Sequence, residues 1–574
     1  MWLYCSLVLL FFFLYRKHRS FQQRMDYLQN LRTRTTYTIP PNIMREEYTT
    51  HKATHEVFDV IIIGSDIGSL STAACLSKFG KRVLVLEKGS VVDGYFPNIA
   101  DYECETPVHY GVDIQNNQFL NSITNTPIVW EPRNQPTTTT TQIHLGKLQF
   151  SFSTSTKASI RNLCVVFPKE ESVITQYFDL IERVSNFTYF LKFKVLHYGW
   201  LRKLATLIWC REYYYYASRT TYEVLLEFTD NERLIAALCS QFVDLGLPPH
   251  KSSFFAHACS VSQDSDSLFP LGGSRGIVNS LLETIYRYGG RVLVNQGVKK
   301  ILVTHTETSG VCMENRDQIL APTVISGVGF TTTFQNLLPS KVLLHKTVTE
   351  TLLGISPQES YIGIYLSLSG NPHSHRLPTY NICDWGSCKL KKLAEELEYR
   401  PIQSSAVGSL TFPCTRDSSW DKRHPNKSNA VLISPVSPPL FKRWKNLKKE
   451  RHRALFGDFT TELGNSLIVD LLLKHYPDLK SHLEYATIEP LIPEHTSSLE
   501  NSPTRFTTNH LTPYTPYRGL YITGQDLDRS GFLGHLKGSI LCCSAVLGYG
   551  NLRNFMVGSD LLQDLTQLCI IKSV

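Results

Sequence analysis

Residues 58–87 read FDVIIIGSDIGSLSTAACLSKFGKRVLVLE, and this stretch decides the fold. Phe58–Ile63 (FDVIII) carries, after Asp59, a continuous branched apolar run, the pattern of a parallel strand buried on both faces. A glycine turn follows, Gly64-Ser65-Asp66-Ile67-Gly68-Ser69, and then small, apolar and helix-forming residues over Leu70–Phe79. Arg82–Leu86 is the next strand, closed by Glu87. Strand, turn, helix, strand and acid make a complete βαβ unit. Its acid lies 23 positions after Gly64, close to the ~20 expected of a carboxylate that binds a dinucleotide's ribose. A helix amino terminus after such a turn offers free N–H groups and a positive dipole end to a pyrophosphate. Glu87 disfavours a 2′-phosphate and so reads against NADP in this first site.

The fingerprint departs from its rule at two places. It asks for glycine at 64, 66 and 69, and the last two positions hold Asp66 and Ser69. Ser69 should loosen the packing of helix on strand slightly. Asp66 puts a side chain and a negative charge where backbone must approach phosphate. Two like charges ~4 Å apart cost about 4 kcal/mol at an effective dielectric of 20, so cofactor binding is expected to suffer.

Outward from this unit, the chain of 574 residues is too long for one core, so a two-domain body is expected. Its net charge of +8, from 58 basic and 50 acidic residues, is too dilute to argue for nucleic acid. The 14 cysteines form no CxxC pair or zinc spacing and fit a reduced compartment. Met1–Tyr15 is apolar and ends at Arg16-Lys17-His18-Arg19. As a helix it would span about 22 Å, short of the roughly 30 Å hydrocarbon core. An uncleaved anchor with the body on the cytoplasmic side is the favoured reading, and a cleaved signal segment the rival. Residues 16–55 read as a tether.

Further strand signals recur at Arg291–Val303, Thr323–Ser326 and Gly519–Thr523, the last leading into Gly524-Gln525-Asp526 and a helix spaced by Gly531, Gly534 and Gly538. The expected organisation is a nucleotide domain assembled from 56–115, 270–345 and 515–555, with a substrate domain from 116–269 and 346–514 and a tail over 556–574. The Thr-rich stretch between about 130 and 165 reads as a surface insertion. Phe190–Trp209 mixes Leu, Phe, Trp and Ile with Lys192, Lys194, Arg202 and Lys203. It is either a core helix with snorkelling cations or an interfacial patch where a lipid enters.

These residues resemble a known family. The 58–87 stretch is similar to the opening of the carotenoid desaturase and isomerase superfamily of FAD enzymes. Four later blocks resemble the retinol saturase (all-trans-retinol 13,14-reductase) family: FTDNERLIAALCSQFVDLGLPPHKSSFFAHA from Phe228, FPLGGSRGIVNSLLETIYRYGGRVLVNQGVKKILV from Phe269, VISGVGFTTTFQNLLP from Val324, and TPYRGLYITGQDLDRSGFLGHLKGSILCCSAVL from Thr515. The resemblance implies an α/β fold: a discontinuous Rossmann-like FAD-binding domain of the two-dinucleotide-binding type, and an α+β substrate domain. FAD would meet Gly64, Ser65, Asp66, Gly68, Ser69 and Glu87 through its ADP half, with Val298 near the adenine. Gly524 and Asp526 would meet the ribityl or phosphate region, Gly531 opens the helix aimed at the flavin, and Gly272 and Gly273 would lie beside the ring. His109, Tyr110 and His257 are the candidates for proton delivery or for binding a substrate hydroxyl.

The implied activity is reduction of a polyene double bond in a lipophilic retinoid at the endoplasmic reticulum membrane, with the electron donor unspecified. The alternatives are desaturation or isomerisation of a carotenoid, or a degenerate flavoprotein fold kept as a binding protein. Departures from the family pattern at Asp93-Gly94, Pro107, Leu271 and the LTPYTP stretch from Leu511 bear on substrate identity more than on fold.

Overall fold

A computed structural model describes residues 42–92, 114–132, 139–187, 210–241, 246–265, 268–357, 360–385, 408–436, 464–491 and 498–548, with isolated residues between them. Met1–Tyr15, the tether up to residue 38, His109 and Tyr110 lie outside the described residues. No helix among the described residues is long and apolar enough to cross a membrane.

The decisive stretch forms β1 (Val60–Ile63), α1 (Ile67–Lys78) and β2 (Val83–Leu86). Along the chain follow α2 (Glu171–Ser185), α3 (Phe254–Ser265), α4 (Gly273–Arg287), β3 (Arg291–Leu293), β4 (Thr323–Ser326), β5 (Leu520–Ile522) and α5 (Phe532–Leu547). The five strands make one parallel sheet in the order β3-β2-β1-β4-β5, drawn from three distant parts of the sequence. Val60 stands opposite both Val83 and Thr323, which fixes the register.

Both faces of this sheet are buried, which is why its strands read as continuous rather than alternating apolar runs. Val60, Ile62, Val83, Val85 and Ile325 share a core with α1, α4 and α5. Ile61, Ile63, Leu84, Leu86 and Val324 point into a second core on the other side. Ile301, Val311 and Met313 join that second core from a three-stranded antiparallel ribbon over 298–304, 307–313 and 318–320. Helix α1 is buried from Ile67 through Ser77, packed against both α4 and α5. Its Ser, Thr and Ala residues suit an all-round contact because small side chains let helices approach closely.

A seven-stranded mixed sheet forms the second body. Its order is 483–491, 360–369, 427–436, 408–411, 381–384, 139–145 and 148–153. Only the pairing of 381–384 with 139–145 is parallel. This overturns the surface-insertion reading of the Thr-rich stretch. Thr140 and Thr141 are buried, and Ile143 and Leu145 beside them are fully so. Branched threonine fits a pleated surface, and here its hydroxyl does not keep it outside.

Candidate active site

β1 ends in a turn that only glycine can make. Gly64 has φ of +92°, and a Cβ there would lie 2.8 Å from Val328 Cγ1. Ser65 donates from both its amide (3.0 Å) and its hydroxyl (2.8 Å) to Glu87 Oε2. The Gly89 amide donates to Glu87 Oε1 at 2.7 Å. One carboxylate thus ties the β1 turn to the β2 turn. The Gln296 amide donates to the Glu87 carbonyl at 3.2 Å, so Val298 starts its strand two residues from the same edge.

Asp66 is the amino-terminal cap of α1: its Oδ1 accepts from the Ser69 amide at 2.6 Å. Its Oδ2 lies 3.2 Å from Nδ1 of His535, a residue of α5. Burial works against ionisation of this carboxyl, yet the His535 ring and the Ser69 amide outweigh it and hold the carboxyl below the usual carboxylate range. Position 66 thus has a facing group from α5 that the fingerprint did not show. Ser69 is accommodated as well. A Cβ on Gly327, at the end of β4, would lie 1.8 Å from Ser69 Oγ, so the glycine missing from α1 has a counterpart across the contact. The Ser69 hydroxyl is buried and has no hydrogen-bond partner among the described residues.

The third segment crosses this turn directly. A Cβ on Gly68 would stand 2.8 Å from Gly524 Cα, and one on Gly538 only 2.0 Å from the Gly524 carbonyl oxygen. Thr72 and Thr523 share a buried hydroxyl contact of 2.7 Å. Gly524 and Gly531 have φ of +92° and +101°, and the Gly531 amide donates to Gln525 Oε1 at 2.8 Å.

Asp526 is 2% exposed, and its two oxygens accept from the Phe330 amide (2.7 Å) and the Leu499 amide (2.8 Å). Burial raises its carboxyl above the usual range, against the pull of Arg505. In this structure Asp526 braces three chain segments, and a contact with a ligand would have to share those oxygens. Arg505, also buried, donates to the carbonyls of Leu499 and Gln525 and to Ser530 Oγ.

Gly272 and Gly273 both have positive φ, 80° and 68°, where β-carbons are disfavoured. The Gly272 amide donates to Asp417 Oδ2 at 3.1 Å. His257 of α3 is 1% exposed and contacts the Tyr177 hydroxyl of α2 at 2.9 Å. Burial pushes its imidazole down to about 3, so it is neutral at physiological pH and enclosed by the helical layer.

Sequence reasoning missed His535, Arg505 and Asp528. A histidine and a lysine inside the apolar, glycine-spaced α5 were the available signal for the first. Among the described residues both buried Asp528 oxygens lack a hydrogen-bond partner, and Oδ2 lies 3.9 Å from Arg529 Nη1.

A parallel sheet with glycine turns converging at the carboxyl ends of β1, β4 and β5 is a dinucleotide crevice by geometry. The comparisons agree. Residues 62–123 match the model of the NAD(P)-binding Rossmann-like domain. All-trans-retinol 13,14-reductase of Macaca fascicularis is 27% identical over 528 residues, covering 86% of each chain. Along most of its length the chain is similar to the all-trans-retinol 13,14-reductases. A Danio rerio protein named inactive all-trans-retinol 13,14-reductase is 24% identical over 88% of each chain. The solved cyclohexylamine oxidase of Brevibacterium oxydans IH-35A superposes with a TM-score of 0.56 at 14% identity, covering 86% of this chain and 99% of its own. That likeness extends the shared fold to both bodies.

The residues fit an extended dinucleotide. Among the described residues, a Cβ on Gly272 or Gly531 would meet nothing within 4 Å. Ile67 and Gly68, in the first turn of α1, present amides without a hydrogen bond among the described residues. Such donors suit phosphate oxygens.

Proposed function

We propose that this chain is an FAD-dependent oxidoreductase that reduces a double bond of all-trans-retinol to 13,14-dihydroretinol, or of a related isoprenoid. The observation that carries the reading is the junction of Gly64, Gly68 and Gly524 at one sheet edge, with Glu87 beside it. Sequence similarity to the retinol reductases along most of the chain supports the substrate class.

Bound FAD would supply the redox chemistry, a hydride equivalent for one carbon of the double bond while the other takes a proton. The chain's own residues position and enclose. Glu87 would offer its remaining lone pairs to ribose hydroxyls, and the α1 and α5 amino termini would favour negative charge on the phosphates and on the reduced flavin. Asp526 and Arg505 lock the 498–505 and 525–531 segments so that Gly531 keeps its place. His109 and Tyr110 are the proposed proton donors. His257, neutral and enclosed, supports the helical layer formed with α2. A cavity of about 320 Å³ lies between 148–153, α2 and α3; its lining is mainly polar, with Ser153, Thr156, Glu182, Asn186 and Gln241 beside Phe152, Phe178, Ile181 and Val261.

The proposed partner is a membrane surface, in the endoplasmic reticulum, reached through Met1–Tyr15 and the exposed Trp200, Leu204 and Ile208. Retention in the membrane pellet after carbonate is expected, and release would remove the anchor. The activity is tested on full-length chain purified in detergent. Flavin absorption, and dihydroretinol formed from retinol under chemical reduction, are expected. Flavin-free protein that no added FAD reconstitutes would overturn the reading and leave a binding protein of this fold.

A further inference from the structure

A carboxylate is the wrong charge for a dinucleotide crevice, and the structure sets beside it a base from the far end of the chain. His535 follows the α5 amino terminus by one turn, with Nδ1 3.2 Å from Asp66 Oδ2. The imidazole lies where the first and third segments meet. A Cβ on Gly68 would come within 3.1 Å of Nδ1, and one on Gly524 within 3.5 Å. The side chains are 10% and 21% exposed, so water screens the pair only in part. Two carboxylates act on the ring from the packed elements: Asp66 from the β1 turn and Asp526 from the turn after β5. Asp526 spends both oxygens on the Phe330 and Leu499 amides, and Arg505 offsets its charge. Asp66 has one oxygen on the Ser69 amide and the other toward His535.

We propose that Asp66 and His535 act as one unit in dinucleotide binding: the imidazolium offsets the carboxylate at the forbidden glycine position and is the cation that meets the pyrophosphate. The inference rests on the dinucleotide reading above. It follows from placement. Ser69 is already capped by Asp66, so one amide of the α1 amino terminus is lost to phosphate, and a cation at the same crevice replaces it. Arginine or lysine would bring a permanent charge, whereas an imidazole carries one only when protonated. Acidification that protonates the imidazole gives a crevice with balanced charge. With the imidazole neutral, Asp66 faces the phosphates alone. Dinucleotide affinity should therefore rise as pH falls through the histidine range.

The test is binding of FAD, and separately of ADP, to flavin-depleted full chain, by quenching of flavin fluorescence and by calorimetry. Four proteins are compared at pH about 5.5 and about 7.5, either side of the ordinary histidine value of ~6.5: native, Asp66→Gly, His535→Gln and the double variant. His535→Gln keeps the ring's approximate bulk and hydrogen-bonding capacity, and circular dichroism confirms that each protein folds. Expected are about tenfold weaker binding in His535→Gln, recovery to native affinity or better in the double variant, and a several-fold pH effect confined to proteins with His535. Unchanged affinity in His535→Gln, or a pH effect that persists without the imidazole, overturns the proposal. Binding by Asp66→Gly but not by the native chain would also overturn it, while keeping the dinucleotide site. If none of the four binds FAD or ADP, the dinucleotide reading itself fails and the inference falls with it.

Discussion

Glu87 and Asp66 are two carboxylates at the same sheet edge, and they differ in how the chain accommodates them. Glu87 stands where the dinucleotide fingerprint places an acid and is held locally, by the amides of Ser65 and Gly89. Asp66 stands where the fingerprint places glycine. It is held locally by Ser69 and globally by His535, 469 positions away, counting from 66 to 535. The same chemical group is thus part of the motif in one place and a departure balanced by distant sequence in the other. A motif read residue by residue sees the first case and miscounts the second.

A third carboxylate marks the upper end of the comparison. Asp526→Ala removes a buried acceptor and strands two buried amides, so unfolding in urea should show a loss of about 3 kcal/mol or more. A loss under about 1 kcal/mol would mean that the bracing of Phe330 and Leu499 is not what Asp526 does. Glu87→Ala should cost about 2 kcal/mol in flavin-free protein, since its contacts are partly exposed. Stability unchanged in that variant would reserve Glu87 for ligand alone.

Asp66→Asn keeps the helix cap and loses the ion pair, for about 1 kcal/mol near neutral pH. The sign with pH is fixed by the lowered carboxyl. Its stabilisation is present above the ordinary carboxylate value of ~3.9 and is lost as pH falls through the lower value in the folded chain. The gap between native and Asp66→Asn should accordingly close as pH falls below the ordinary carboxylate range, and a gap that persisted there would refute the assigned pair. The smallest effect belongs to Ser69→Ala, which removes an unpartnered buried hydroxyl at no loss of a bond. It should leave the melting temperature unchanged or raise it by a few degrees.

Much of the nucleotide body was legible because its signals are local. The run at Phe58–Ile63, the turn at Gly64 and the spacing to Glu87 each follow from backbone rules within thirty residues. The return of strands at Thr323 and Gly519 was legible for the same reason, whereas their order in the sheet came from the structure. Thr139–Leu145 was misread because threonine is polar by composition but branched by shape, and a central sheet rewards the shape. His257 looked available for proton transfer, and the structure encloses it against Tyr177. Ser69 and Asp66 looked like damage because their partners, Gly327 and His535, lie hundreds of residues away. No local pattern encodes such a complement.

The most direct test of the balanced-departure account is a double-mutant cycle on flavin-free full chain, with Asp66→Asn, His535→Gln and both together, unfolded in urea at pH about 6. Because both side chains touch, the account predicts a coupling of about 1 kcal/mol, the second substitution costing much less once the first is made. Additivity within about 0.3 kcal/mol would contradict it, and Asp66 would then stand at the crevice as an uncompensated charge.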